Sequence, residues 1–464
     1  MYWLSIDRSQ KVPLIRQVYE QMRLRILSGE LRQGEKLPST RELAQNLRVS
    51  RNVILEAYDQ LLAEGYMNSL RGSGSYVAQG AYLKQFEMEP LAPAKPVNIA
   101  KSEAKDIIDF RNGIPALDMF PRKKWGQLFQ NICTNAPSSV FGYHAAQGRM
   151  ELRQVLAHYL IRSRGVRCDP NQVIITTGAI QGICIASQLL LSENEVVVTE
   201  DPMASSIRNI FIKTGAAHYP VPVDEQGIQV SRIPVDKKPR LIYITPAHQY
   251  PLGATLTVQR RVELVQIARD TGCYIVEDNY DNEFRFEGTA VSSLQGLEPE
   301  RVIYIGTFSK ILSPALRIGY MVVPPLLIKP SRVIKDLLDH HSPSLNQLVL
   351  ARFIEEGHFE RHIFKMKKIY RKRQECLIES LNAHFPQRCT VKGYSTGLHI
   401  VAEFDDVVFT DLVAADLVKA GVRIYPAEMY AVNKGCHRNK IILGYGNVNE
   451  EEIKEGIIRI ASVI

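Results

Sequence analysis

Five short apolar runs recur through the middle of the chain, at 173–176, 196–199, 241–244, 274–277 and 302–305. A strand with one wet face alternates apolar and polar residues. A strand that is apolar throughout has both faces covered. Helical patterns such as 259–270 lie between some of these runs. That alternation predicts an α/β body, with a mainly parallel sheet between two layers of helices. From about Ser331 the pattern changes to a long basic helix followed by strand-like pieces at 399–403 and 440–443. These predict a smaller C-terminal α+β lobe.

The chain has 464 residues, too many for one ordinary core. One stretch breaks its texture: 81–105, AYLKQFEMEPLAPAKPVNIAKSEAK, has three prolines and no sustained period. It reads as a semi-extended linker. The expected domains are therefore 1–80, a linker over 81–105, and 106–464. Hydrophobic residues at 45% and charged residues at 23% exclude global disorder, collagen and coiled coil. No run approaches the ~18 apolar residues of a membrane span. The start lacks a basic region followed by an apolar one, so no secretory signal is expected and the cytoplasm is the default location. Seven cysteines, with no C-x-x-C pair, argue against a disulfide framework or a zinc site, and no metal is expected.

Net charge is +8, a mild pointer to a polyanion. Residues 1–80 hold nine Arg and two Lys against two Asp and six Glu, a net +3 in the first sixth of the chain. There, Leu14, Val18, Met22, Ile26 and Leu27 share one helical face. Ser39 is placed as an N-cap with Glu42 three residues on, as in a capping box, before a short helix over 41–47. Arg48-Val49 makes a turn, and Ser50 caps a helix running to about Glu64. Its apolar face is Val53, Ile54, Ala57, Leu61 and Leu62, and its first turn exposes Arg51 and Asn52. A helix N-terminus attracts phosphate, Arg pairs with guanine and Asn with adenine. Two short strands follow around Arg71-Gly72-Ser73-Gly74. Arg41 and Arg71 are placed to reach the DNA backbone or minor groove. The order KLPSTRELAQNLRVSRNVILEAYDQLLAEGY, then RGSGSYV, resembles the winged helix-turn-helix of GntR-family regulators over about 11–78. By that resemblance Arg41, Ser50, Arg51, Asn52 and Gly72 are expected to contact DNA.

The body carries three segments with chemistry. Thr307-Phe308-Ser309-Lys310 follows an apolar run. A lysine there forms a Schiff base with an aldehyde cofactor once its pKa is lowered. The hydroxyls of Thr307 and Ser309 and the guanidinium of Arg317 suit a phosphate. Asp278 ends another run and is a candidate partner for a pyridinium nitrogen, with Tyr280 beside it for a phenolic oxygen. Ile174 to Gln181 reads as strand, glycine turn and helix start, whose free N–H groups suit an anion. Each signal is weak alone. Together they resemble the fold-type-I pyridoxal-phosphate enzymes over about 107–464, and more closely the aminotransferase-like half of MocR/GabR-type regulators. FGYHAAQG and TPAHQYPLG add to the likeness. The resemblance implies pyridoxal phosphate on Lys310, Asp278 at the ring nitrogen and Tyr280 at the ring oxygen. It places Thr177, Gly178, Ala179, Thr307, Ser309 and Arg317 around the phosphate. It also implies a homodimer in which Tyr143 reaches the neighbouring subunit's phosphate.

Three departures bear on function. Glu200-Asp201-Pro202 is followed by Met203-Ala204-Ser205, without the usual ring-stacking aromatic. Ile442 stands before Leu443-Gly444-Tyr445, where aminotransferases carry the arginine that binds the substrate carboxylate. Arg438 and Arg208 are the candidate substitutes as effector-binding residues. Tyr250 aligns with the asparagine of the aminotransferase N-P-x-G motif. These changes weaken an expectation of transamination more than one of cofactor binding. The expected protein is a transcriptional regulator that binds double-stranded operator DNA and senses an amino compound by aldimine exchange at Lys310. The alternative is an aminotransferase with an accessory DNA-binding module. The effector candidates are an ω-amino acid, D-alanine or a D-alanyl dipeptide, taurine, or the cofactor itself.

Overall fold

The computed structural model describes residues 4–70, 72–83, 107–288 and 291–464. The chain divides into two compact units, Met1–Glu103 and Ala104–Ile464. Most of the expected linker, and Arg71, lie outside the described residues.

The first unit has helices α1 (Leu14–Leu27), α2 (Thr40–Leu47) and α3 (Arg51–Ala63), then an antiparallel hairpin of β1 (Met67–Leu70) and β2 (Gly74–Val77). Val18, Met22, Ile26, Leu43, Ile54, Ala57 and Leu61 form its core. Tyr58 joins them, with its hydroxyl donating to the Pro38 carbonyl at 2.8 Å. Both predicted N-cap serines stand at their helix starts, but only Ser39 makes a capping bond with its side chain. Ser39 accepts from the Glu42 amide at 3.2 Å, which is half of a capping box. Ser50 has the extended backbone of an N-cap, but its side chain makes no capping bond. A serine at this position supplies the turn, and its hydroxyl stays uncommitted. Arg48 closes α2 in the left-handed region at φ 53°, a place more often taken by Gly or Asn.

The second unit is built on an eight-stranded sheet. Its strands are β3 (Val173–Thr176), β4 (Val196–Asp201), β5 (Ala217–Asp224), β6 (Gly227–Ile228), β7 (Leu241–Ile244), β8 (Tyr274–Asn279), β9 (Val302–Thr307) and β10 (Gly319–Val322). Their order is β3-β10-β9-β8-β7-β4-β5-β6. The five from β9 to β5 run parallel, and β10 is antiparallel to both of its neighbours. Tyr243, Val276, Ile303 and Ile305 pack on one side with Ile183 and Ala186 of α4 (Ala179–Leu190). Ile242, Ile275 and Val302 pack with Leu264 and Ala268 of α5 (Val258–Thr271). Both faces are thus covered, as unbroken apolar strands require.

Three strands run two residues beyond their apolar patterns, to Asp201, Asn279 and Thr307. Ladder pairing continues there, Ile305 with Asp278 and Gly306 with Asn279, because backbone hydrogen bonds do not depend on side-chain polarity. The extensions carry polar side chains at the carboxyl ends of parallel strands, where α/β sheets bind ligands.

The C-terminal lobe has an antiparallel sheet of β11 (Cys389–Lys392), β12 (His399–Phe404), β13 (Tyr425–Pro426) and β14 (Lys440–Gly444), in the order β11-β12-β14-β13. Ile400, Ala402, Ile441 and Leu443 face the core with residues of α6 (His358–His384) and α7 (Glu450–Ala461). The opposite-parity residues face away from that core. Among the described residues no helix is long and apolar enough to cross a membrane.

Candidate cofactor site

A cavity of about 310 Å³ opens at the carboxyl ends of β7, β8 and β9. Lys310, Asp278, Tyr280, Thr307, Ser309, Arg317, Gly178 and Ala179 all line it. Residues from 178 to 317 in sequence therefore meet in one volume, within the usual size range of small-molecule sites.

Lys310 lies just past β9, and its Nζ donates to the Gly113 carbonyl at 2.5 Å. Gly113 sits at φ 69°, and a Cβ there would stand 2.8 Å from Nζ. Burial lowers the Lys310 pKa, and Arg111 adds to this. Asp281 and Asp278 pull it back up. The net effect raises the share of neutral, nucleophilic amine.

Asp278 is fully sequestered. Its Oδ2 accepts from the Tyr243 hydroxyl at 2.7 Å, and its Oδ1 is buried without a hydrogen-bond partner. A buried, unpaired carboxylate oxygen is costly, so it marks where a donor belongs. Burial pushes this carboxyl up to about 6, against the opposing Tyr243 bond. Tyr280 lies within 3.1 Å of His248 Nδ1, and that nitrogen is 2.9 Å from Asp281 Oδ2. Burial holds the Tyr280 phenol well above its ordinary range.

The opposite end of the cavity is cationic and rich in donors. Gly178 precedes α4 at φ 122°, a backbone that L-residues rarely adopt, and a Cβ there would meet Arg317 Nη2 at 3.0 Å. Arg317 is itself left-handed, at φ 50°. Such strain costs on the order of 1 kcal/mol or more, and here it holds a guanidinium against a free helix N-terminus. Thr307 Oγ1 and Ser309 Oγ lie 3.1 Å apart beside it.

Some expected residues stand elsewhere. Thr177 does not line the cavity, and its amide is spent on the Gln181 side chain at 2.9 Å. Tyr143 is 89% exposed and packs edge-on to His340 and His341. Arg438 is exposed, Arg208 is half-buried, and neither lines the cavity. They do not replace the missing carboxylate arginine within this chain. In the first unit Arg41, Ser50, Arg51, Asn52 and Gly72 are all exposed.

Other lining residues were not singled out as site residues from the sequence. Tyr243 supplies the Asp278 bond, and Asn112 donates to the Tyr250 hydroxyl at 2.8 Å. His399 stacks loosely on His248, with ring centroids 4.7 Å apart. Met203, Ala204 and Ile207 cover the side where an aromatic was missing. A polar residue interrupting an aliphatic strand, as Tyr243 does in Leu-Ile-Tyr-Ile, was the one available signal. His248, Asp281 and His399 lie close together; His248 Nδ1 meets Asp281, His399 Nε2 meets the Pro251 carbonyl at 3.0 Å, and His248 Nε2 is buried without a hydrogen-bond partner.

Residues 14–77 match the family model for bacterial regulatory proteins of the gntR family, and residues 105–460 match that for aminotransferase class I and II. The chain is 34% identical to the probable rhizopine catabolism regulatory protein MocR of Rhizobium meliloti, over 98% of this chain and 94% of that protein. The chain belongs to the MocR-type GntR regulators. A second relative, the uncharacterized HTH-type transcriptional regulator YdeL of Bacillus subtilis, is 35% identical over 97% of both chains. Among solved structures, the kynurenine aminotransferase of Pyrococcus horikoshii in complex with PMP superposes with a TM-score of 0.72. It is 27% identical, over 77% of this chain and 90% of that one. MocR-type architecture thus joins a helix-turn-helix module to an aminotransferase fold, as both parts of this chain do.

The protonation of Asp278 gives a two-sided prediction. Its folded pKa of about 6 lies above the ~3.9 of an exposed aspartate. The folded, cofactor-free protein therefore keeps a proton that the unfolded chain releases, and stability falls as pH rises from about 4 to 6. Asp278→Asn carries no such penalty. At pH 7.5 it is expected to stabilise the cofactor-free protein by up to ~3 kcal/mol. The same change is expected to weaken cofactor binding at least about tenfold, since a charge-assisted hydrogen bond is lost. Urea unfolding at pH 4.5 and 7.5, with cofactor titration, measures both. A variant that is less stable and binds the cofactor as before would contradict the assignment.

Proposed function

We propose that this regulator holds pyridoxal phosphate in the cavity and reports a primary amine to operator DNA. Pyridoxal phosphate, when bound, supplies an aldehyde carbon at which one amine replaces another, one C–N bond forming as one breaks. Lys310 is the resident amine. Asp278 Oδ1 is the acceptor for a protonated ring nitrogen, and Tyr280 stands at the ring oxygen. Gly178, Ala179, Thr307, Ser309 and Arg317 hold the phosphate. The observation that carries the reading is the pairing of Lys310 with an unpartnered buried Asp278 oxygen, in one cavity of a chain that also has a winged helix-turn-helix.

The regulator acts in the cytoplasm as a homodimer on double-stranded DNA. Exposure of Tyr143, away from its own chain's cavity, supports a role at a second subunit's phosphate. The domain division is 1–80, linker 81–105 and 106–464. Release of Lys310 alters DNA affinity only if the amine-bound body favours a different arrangement of the linked modules. The expected coupling is about 5- to 150-fold in operator affinity. Titration of the full-length protein with primary amines, following visible absorbance and DNA anisotropy together, tests this. Absorbance changes with no change in DNA affinity would refute the sensing role.

A further inference from the structure

The cavity extends past Lys310 toward Asn112, Tyr250 and His399. An amine that displaces Lys310 must place its body there. Among the described lining residues the cations are Lys310 and Arg317, one the resident amine and the other at the phosphate end. The lobe's sheet adds no third. On β12 and β14, His399 pairs with Gly444, Val401 with Ile442 and Glu403 with Lys440, all on the face away from the helical core. Lys440 is already 3.4 Å from Glu403. The residue at the aminotransferase arginine position is thus a fully buried isoleucine beside a buried valine. Arg111, whose charge is felt at Lys310, is exposed and outside the lining.

What faces the body is neutral or negative. Burial and the neighbouring His248 push the His399 imidazole down to about 3, so it is uncharged at neutral pH. Its Nε2 meets the Pro251 carbonyl at 3.0 Å and so carries the proton, which leaves Nδ1 as an acceptor. Asp278 and Asp281 add negative charge nearby. A carboxylate entering this volume loses water, meets no lining cation besides Lys310 and Arg317, and has Asp278 as like charge. A hydroxyl or N–H finds an acceptor.

From this we infer that the effector is a primary amine whose body carries hydroxyl or N–H donors and no carboxylate, the class of amino alcohols and amino polyols. The inference rests on the amine-sensing reading above and narrows it. Exchange balances simply: the effector nitrogen bonds the aldehyde carbon, Lys310 Nζ leaves as a free amine, and no electrons change hands.

Matched pairs test it on the full-length protein loaded with cofactor. Alaninol against alanine, and serinol against serine, differ chiefly in a carboxylate. The readouts are the half-saturating concentration for the visible absorbance change and the shift in thermal midpoint. The expected result is at least a tenfold lower half-saturating concentration for each alcohol, with a larger thermal shift. Amino acids that match or beat their alcohols would overturn the inference and leave amine sensing standing. Failure of all four amines, and of a wider panel, to perturb the absorbance would instead overturn amine sensing itself, and the inference with it.

Discussion

Lys310→Ala is expected to abolish the covalent hold on the cofactor and, with it, every amine-dependent change in DNA affinity. Among the described lining residues, Lys310 Nζ is the one amine that could bond an aldehyde carbon. It is half-buried, held by the Gly113 carbonyl, and kept near a glycine that leaves room for it. Borohydride reduction of wild type should fix a pyridoxyl group on the peptide containing Lys310, and none in the variant. The phosphate end and Asp278 remain, so the variant should still bind cofactor reversibly, more weakly and with altered visible absorbance. Operator affinity should stop responding to amines that shift it about 5- to 150-fold in wild type. Lys310→Arg keeps a cation but offers no such nucleophile, so it separates charge from bonding and should behave like the alanine variant. A reduced pyridoxyl group on any other lysine, or an intact amine response in Lys310→Ala, would remove Lys310 from its role.

Why Lys310 was legible, and its neighbours were not, follows from how information is spread along the chain. Thr307, Ser309, Lys310 and Arg317 sit in one eleven-residue stretch after an apolar strand, so their chemistry shows as a local pattern. Asp278 and Tyr280 likewise follow one strand. Tyr243, Asn112 and His399 come from three other segments, and apart from the break that Tyr243 makes in an aliphatic strand nothing near each marks it. Only the strand order β9-β8-β7, and the lobe that closes against them, bring them to the same cavity. The apolar runs located the strands but ended two residues early at three of them. The polar ends that a hydrophobic pattern discards are the ends that carry the site. Arg208 and Arg438 show the reverse failure. Charge can be read from sequence, but place in the fold cannot, and neither residue lines the cavity. Ser50 shows it on a smaller scale: preference for serine at an N-cap fixed the helix start, not the bond its hydroxyl makes.

That free hydroxyl belongs to the face on which Arg51→Ala should have its effect. Arg51 opens α3, is exposed, and among the described residues hydrogen-bonds Thr40 of α2, with Nε 3.4 Å from its hydroxyl. The first turn of α3 holds no acidic residue, so the helix N-terminus stays positive. The fold does not depend on this side chain, because Ile54, Ala57, Tyr58 and Leu61 make the packing. Loss of a bidentate contact to guanine costs ~1–3 kcal/mol at one half-site. Two half-sites in a dimer double this, a fall of roughly 30-fold to 10⁴-fold in operator affinity with unchanged thermal stability. Arg51→Lys decides what kind of contact is lost. A lysine still neutralises phosphate but has no fork, so base reading predicts that it fails nearly as badly as alanine. If Arg51 only touches backbone, lysine rescues, affinity falls equally on operator and random DNA, and the salt slope drops by about one per site. Arg41→Ala is expected to follow that second pattern, since it sits on the preceding helix. The contrast between the two arginines, read as specificity ratio against salt dependence, separates the residue that reads sequence from the one that positions the module.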